Sequence, residues 1–405
     1  MEIFVARQPI FDVHLQVCAY EMLFRASAQN AYDGSAGDLA TAKVISTLFS
    51  CPPCDRLLGG KPAFINFPRS LLVEGAATVL PPEKTVIEIL ESVEPDAEVQ
   101  AACARLHAQG YRLALDDFVP TTQSHPLIPP ADILKVDFRL ASAEQQRRAA
   151  NRFGGQLELL AEKVETREEF EQAAGMGYRY FQGFFFARPV LTAFRQIEGC
   201  RLNYLHILKE LHREHLDYRR LTELLRREHA LAYMLLRFVN SALFARRETV
   251  ESIHHALEII GEDAARKWLS VVVLLDLSAD QPPELAVSTL VRARFAEMLA
   301  PAAGVGSRSE DCFLMGLFSR LDTMMGRPME ELLDGLHLDE EVTRVLLGRA
   351  RPGDQLPKIW ESVLSYESAD WAQLGKLAAA LSIPAAVLTP DYAEAVAWAD
   401  AATHL

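Results

Sequence analysis

Two spacings of apolar residues divide the chain. Up to about residue 190, short runs rich in β-branched and aromatic residues recur: "FVARQPIF", "AYEMLFRA", "AFINF", "TVIEILES", "YRLALDDF", "DILKVDF", "LELLAEKVE" and "YRYFQGFFF". Between several of them lie stretches such as "DAEVQAACARLHAQG" and "REEFEQAAGMG", helix-forming in composition and stopped by glycine. This alternation predicts a parallel sheet covered by helices, either open and doubly wound or closed as a barrel. From about residue 196 the period becomes helical. "ALAYMLLRFV" sets Ala232, Leu235, Leu236 and Val239 on one face, and "SIHHALEIIG" does the same with Ile253, Ala256, Leu257 and Ile260 before Gly261. The second half is expected to be all-helical.

A polar residue lies near the end of most strand runs. Glu21 sits in "YEMLFR", Asn66 closes "FIN", Glu88 interrupts "VIEIL", and Asp116 and Asp117 close "LALDD". Lys135 lies in "ILKVD", Glu162 in "LLAEKVE" and Gln182 in "YFQG". After a first gap of 45 residues, successive members are 18 to 28 residues apart, about one strand-helix unit. In a barrel of such units the C-terminal strand ends converge on one rim, where these side chains would meet. Neighbouring side chains of a regular strand point to opposite faces, so Asp116 and Asp117 reach one site only if the strand ends or bulges there. Burying several acids together without partners is prohibitive, and one or two divalent cations would remove the penalty. Carboxylates and an amide oxygen suit Mg²⁺ or Mn²⁺; zinc would recruit His or Cys, and neither occupies these positions.

Composition narrows the class. With 405 residues, half of them hydrophobic, the chain can build two or three domains with sizeable cores. A formal charge of −14 opposes direct binding to nucleic acid or to an anionic membrane surface. No basic flank leads into an apolar core at "MEIFVARQPIF", and the run "VVVLL" at 271–275 is far too short to span a bilayer, so a cytoplasmic protein is expected. Six cysteines in so long a chain do not read as a disulfide framework. Cys51 and Cys54 form "CPPC", either a redox pair at a helix start or a loop with two thiols.

The motifs "YEMLFR", "FIN", "EILES", "LALDDF", "ILKVD", "AEKVET" and "FQGFFFARP", in this order, resemble the EAL domain, the cyclic di-GMP phosphodiesterase family. The resemblance covers residues 1 to about 190 and implies a modified TIM (β/α)8 barrel over 1–192. It places Glu21 at the glutamate of the family's name motif, with Met22 replacing alanine, and matches Asn66, Glu88, Asp116 and Asp117 to the other metal positions. Glu88 is preferred as the first glutamate of "EILE", with Glu91 the fallback. Lys135 matches the lysine that helps orient the attacking water, Glu162 the late-strand glutamate, Gln182 the glutamine before its glycine, and Arg25 the arginine that holds a substrate phosphate. The chemistry implied is a two-metal attack of water on one phosphodiester of cyclic di-GMP, giving linear pGpG. Lys135 and Asp117 would position that water, and Glu162 would assist as a base or hold the second metal.

Two departures bear on turnover. The family follows its Asp-Asp-Phe with a glycine-containing loop; here the chain reads "DDFVPTTQSHPLIPPAD". The family's late motif has glycine after its glutamate; here Lys163 stands in that place, where its ammonium would compete with a cation unless the strand aims it away.

The segment "LAYMLLRFVNSALFARRETVESIHHALEIIGEDAARKWLSVVVL" resembles the HDOD domain, an all-helical relative of the HD phosphohydrolases, and the resemblance extends over roughly 200–390, leaving 391–405 as a tail. No His-Asp dipeptide occurs, so no HD-type hydrolysis is expected there. His254 and His255 read as a surface and a packing residue, "KELHREHLDYRR" at 209–220 as a solvated helix and turn, and Trp360, Trp371 and Trp398 as helix packing. The expected protein is a bacterial cyclic di-GMP hydrolase tuned by its helical half. The alternatives are a receptor that binds the nucleotide without turnover and signals through HDOD to a protein partner, and a scaffold that binds neither nucleotide nor metal. A homodimer is compatible with each.

Overall fold

All eight apolar runs of the first half form strands in the computed structural model, which describes residues 4–25, 58–118, 125–185, 199–240, 250 and 252–403. They are β1 (Phe4–Phe11), β2 (Val17–Arg25), β3 (Ala63–Phe67), β4 (Thr85–Ile89), β5 (Arg112–Leu115), β6 (Ile133–Asp137), β7 (Glu158–Glu162) and β8 (Tyr180–Gln182), closed into a barrel in sequence order. The pairs from β2 to β8 are parallel, whereas β1 runs antiparallel to both β2 and β8. The cause is local. Residues 12–16 are too few for a crossover helix and instead make a tight turn, in which Asp12 Oδ1 accepts the amides of His14 and Gln16 at 2.8 and 2.9 Å and Leu15 takes a φ of 59°.

Helices α1 (Arg69–Glu74), α2 (Ala97–Ala108), α3 (Ala143–Phe153) and α4 (Arg167–Met176) supply crossovers between parallel strands. Their starts are marked in the sequence. Asp96 accepts the Val99 amide, Ser142 and Gln145 form a reciprocal capping box, and Thr166 accepts the Glu169 amide. Inside the barrel Ile10, Ala19, Phe64, Val86, Ala114, Ile133 and Leu160 form an apolar layer. It closes the interior below the C-terminal rim, so polar groups above it sit on a dry floor.

The described residues after the barrel strands are helical, as α5 (Gly199–Leu211), α6 (Tyr218–Leu225), α7 (His229–Val239), α8 (Ile253–Ile260), α9 (Glu262–Leu277), α10 (Pro283–Ala302), α11 (Ser309–Phe318), α12 (Leu321–Met325), α13 (Met329–Leu333), α14 (Glu340–Leu346), α15 (Leu356–Glu367), α16 (Trp371–Ala380) and α17 (Ala385–Ala402). By contacts the chain separates into two units, one of Met1–Arg188, Met298–Gly306 and Glu361–Leu405, the other of Pro189–Glu297 and Ser307–Trp360. In the barrel unit α17 packs on β1, the Tyr366 hydroxyl donates to the Val5 carbonyl at 2.9 Å, and Trp371 stacks on Phe4 with ring centres 5.7 Å apart.

In the helical unit α7 buries Leu231, Leu235 and Val239, while Ala232 and Leu236 are half-buried: the apolar stripe is rotated slightly from the expected one. Gly316 on α11 allows close approach to α10, since a Cβ there would lie 2.4 Å from the Ala293 Cα. The run 209–220 is less solvated than its charges suggest, because Glu210, Leu211 and His212 are buried. His254 lies 3.4 Å from Glu258 and His255 is exposed. Cys51 and Cys54 lie outside the described residues. Among the described residues no single helix is long and apolar enough to cross a membrane.

Candidate active site at the barrel rim

The apolar layer fixes where the polar residues go. Two residues further along each strand, on the same face, stand Glu21 after Ala19, Asn66 after Phe64, Glu88 after Val86, Asp116 after Ala114, Lys135 after Ile133, Glu162 after Leu160 and Gln182 after Tyr180. The strand period therefore stacks one polar layer on one apolar layer. Asn66 and Glu88 are direct partners in the ladder between β3 and β4.

Lys135 stands at the centre. Its Nζ lies 2.5 Å from Glu88 Oε1, 2.8 Å from Asp116 Oδ1, 2.8 Å from Glu162 Oε1 and 3.6 Å from Glu21 Oε2. Four carboxylates thus face one ammonium whose residue is 0% exposed. At these separations the ammonium is paired closely with Glu88, Asp116 and Glu162, and its charge also reaches Glu21. Glu21 is held from both sides, with Gln182 Nε2 donating to its Oε2 at 2.6 Å and Asn66 Nδ2 to its Oε1 at 3.5 Å.

The electrostatics follow from burial. Glu88 is pushed well above the usual carboxylate range by burial and then by the charge of Glu21, and the opposing pull of Lys135 does not cancel this. Burial likewise raises Glu162, to about 8. Burial works to depress Lys135, but Glu162, Glu21, Glu88 and Asp116 together outweigh it and hold the ammonium charged.

Asp117 joins the rim by leaving the strand. Asp116 still donates its amide to Ile89 O at 3.0 Å, then Asp117 takes a left-handed φ of 42°, and Phe118 returns to Lys135 O at 3.0 Å. Carboxylate oxygens of Glu91, Asp116 and Asp117 lie within 4.8 Å of one another, an outer cluster beside the Lys135-centred inner one. Both glutamates of "EILE" therefore reach the rim, Glu88 buried inside and Glu91 exposed outside.

Lys163 departs from the expectation that the strand would aim it away. Because β7 ends at Glu162, strand alternation no longer governs it. Lys163 has a left-handed φ of 54°, pairs with Asp137 Oδ2 and reaches within 4.0 Å of Asp117 Oδ1. Asp137 is 4% exposed and its other oxygen accepts the amides of Arg139 at 2.6 Å and Leu140 at 3.1 Å. Burial opposes its charge, but Lys163 and these amides hold it below the usual range.

Two rim residues escaped the sequence reading. Asp137 ends β6 two residues after Lys135, on the same face of the strand. Gln8 pairs with Glu21 across β1 and β2 and lies two residues before Ile10; on a strand that runs backwards, the polar layer precedes the apolar one. The signal for Gln8 was the short turn at residues 12–16. Arg25 ends β2, but its side chain lies outside the described residues, as does the 119–124 part of the loop after Phe118.

A divalent cation fits this chemistry. Glu88 Oε2, Glu162 Oε2 and Gln182 Oε1 are buried without a hydrogen-bond donor among the described residues, and such oxygens are hard ligands.

Comparison with known proteins follows the same division. A family model described as "EAL domain" matches residues 61–189, and one described as "HDOD domain" matches 202–331. The Bacillus subtilis (strain 168) protein named "Uncharacterized protein YuxH" is 34% identical, covering 98% of this chain and 98% of its own. The Vibrio cholerae protein named "Cyclic di-GMP phosphodiesterase CdgJ" is 33% identical, covering 91% of this chain and 85% of its own. Among solved structures, Klebsiella pneumoniae BlrP1 in a manganese and cyclic di-GMP complex aligns with a TM-score of 0.37 and 24% identity over 46% of this chain and 55% of its own.

Proposed function

This chain belongs to the family that joins an EAL domain to an HDOD domain, and from that membership we propose that it is a cyclic di-GMP signalling protein whose barrel hydrolyses one phosphodiester of the nucleotide to give linear pGpG. The observation that carries this reading is the polar layer itself, four carboxylates closing on one point above a dry floor. The activity in the name of the Vibrio cholerae relative, at 33% identity over most of both chains, supports it.

In this reading Glu21, Asn66, Glu88 and Asp116, with Asp117, hold Mg²⁺ or Mn²⁺, which supplies an acidified water and charge stabilisation at the leaving oxygen. The chain's own groups do the rest. Lys135, at the centre of these carboxylates, would orient the water together with Asp117. Glu162, buried beside Lys135, would be placed to take its proton or to complete the ligand set. Gln182 braces Glu21 and faces the substrate, and Arg25 holds a phosphate. The helical half regulates the barrel or passes its state to a protein partner in the cytoplasm, and a homodimer is compatible with this.

A second reading, a receptor that binds cyclic di-GMP and turns it over slowly or not at all, is favoured by Lys163 at the outer acids. One experiment separates the two. The purified chain is incubated with cyclic di-GMP and Mg²⁺ or Mn²⁺ while pGpG is followed, and binding is measured with Ca²⁺. Product that vanishes in Glu21→Ala supports hydrolysis, binding without product supports the receptor, and absence of both overturns the function proposed.

A further inference from the structure

We propose that the ammonium of Lys163 is the resident cation of the outer acidic cluster, so that this barrel takes one divalent ion at the inner cluster where its acids would otherwise hold two. The inference rests on the metal-binding reading above and goes beyond it in assigning a role to a residue that reading does not use.

The rim presents two demands for positive charge. The inner one is the set of Glu21, Glu88, Asp116 and Glu162 around Lys135, deep and dry. The outer one is Glu91, Asp116 and Asp117, whose oxygens lie close enough to share an ion. Among the described residues, only the outer one has an ammonium brought to it from outside the polar layer. Lys163 is a non-glycine residue with φ of 54°, a backbone region that glycine occupies at no cost, and the resembling motif has glycine there. Keeping a lysine in that conformation is unfavourable unless its side chain gains a contact. The contact present is a pair with Asp137, itself fixed by two backbone amides, and the 4.0 Å approach to Asp117.

Asp137 acts as the tether. With it in place the ammonium cannot drift far from Asp117, and a divalent ion bound between Asp116 and Asp117 would have to approach a like charge at short range. Like charges so close weaken binding by at least about tenfold even under surface screening. Among the described residues Lys163 pairs with Asp137 and Asp117 and with none of Glu21, Glu88, Asp116 and Glu162; its charge reaches Glu162 only at longer range, so the inner ion is weakened less than an outer one.

The test is an equilibrium titration of the full-length chain with Mn²⁺, reading free ion by its electron paramagnetic resonance signal, with no nucleotide present. Wild type is expected to bind one ion per chain. Lys163→Met, which removes the charge at nearly equal length, is expected to bind a second with an affinity raised at least about tenfold, and Lys163→Arg to remain at one. Lys163→Gly, the residue best suited to this φ, repeats the measurement should the methionine variant fold poorly. Two ions of similar affinity in wild type, or one ion in both Lys163→Met and Lys163→Gly, overturns the proposal. No ion bound by any form overturns the metal-binding reading beneath it as well, and the two failures are thereby told apart.

Discussion

Lys135 is a buried cation whose worth depends on what else is at the rim. Removing one member of a buried charge group costs about 3–5 kcal/mol, because the partners remain buried and uncompensated. Lys135→Met should therefore lower the stability of the metal-free barrel by about that much in urea titration, and Mn²⁺ should restore more stability in the variant than in wild type. Equal responses to Mn²⁺ would mean that the ion does not bind where the ammonium sits. Gly183 is constrained differently. Its φ is 141° and a Cβ there would lie only 2.0 Å from Val164 O, so it admits no side chain where β8 turns past β7. Gly183→Ala should cost about 2 kcal/mol or more and displace Gln182, whose carbonyl accepts the Val164 amide at 2.9 Å. A melting temperature and cyclic di-GMP affinity both unchanged would refute this.

At the scale of elements, strand identity was legible because each run carries apolar residues at every second position, and site residues were legible because they continue that same face one step further. Lys135 and Glu162 could be found this way without any partner in view. What escaped was whatever depends on direction or on the end of a strand. Gln8 was hidden because the reversal of β1 is decided by five turn residues; Lys163 was visible as a competitor of a cation, but its direction was not, because alternation stops at Glu162. In the helical unit the charged run at 209–220 misled because charge density says nothing about neighbours. His212 is 5% exposed, lies 3.1 Å from Ser270 Oγ and edge-on to Phe318, while Arg266 donates to the Leu211 and Arg213 carbonyls at the end of α5. Burial, and then the Arg266 charge, depress His212 from 6.5 to about 4. A depressed folded-state value means that the unfolded chain binds the extra proton first. The histidine's contribution is present above pH 6.5 and is lost as pH falls towards 4, by up to about 3 kcal/mol. His212→Gln, which cannot titrate, should flatten the pH dependence of urea stability across that window. An unchanged slope would place the titration elsewhere.

For the molecule as a whole, the strand on which the barrel closes is also the strand that the end of the chain covers. Among the described strands β1 alone is antiparallel to both its neighbours, and it carries Gln8 towards the rim while Arg7, with 4% of its side chain exposed, lies 3.6 Å from Asp400 of α17 and over the Tyr20 ring at 4.3 Å. Leu388, Tyr392, Ala395, Val396 and Ala399 are the buried side of α17, and Tyr366 and Trp371 hold Val5 and Phe4. A chain ending at Ile383 would expose the outer face of β1 and leave the Arg7 guanidinium without Asp400. Such truncation should lower the urea midpoint of the barrel unit and raise binding of a dye that reports exposed apolar surface. Cyclic di-GMP affinity should fall in step with stability, because a loosened β1 carries Gln8 away from Glu21 and opens the ring of strands that holds the acids together. Arg7→Met separates packing from charge: it keeps the apolar cover and removes the pair with Asp400, so it should retain most of the midpoint that the truncation loses. If the truncated chain keeps the full-length midpoint and affinity, the last helix is an ornament on the barrel, and the closure of the ring depends on its own hydrogen-bond ladder alone.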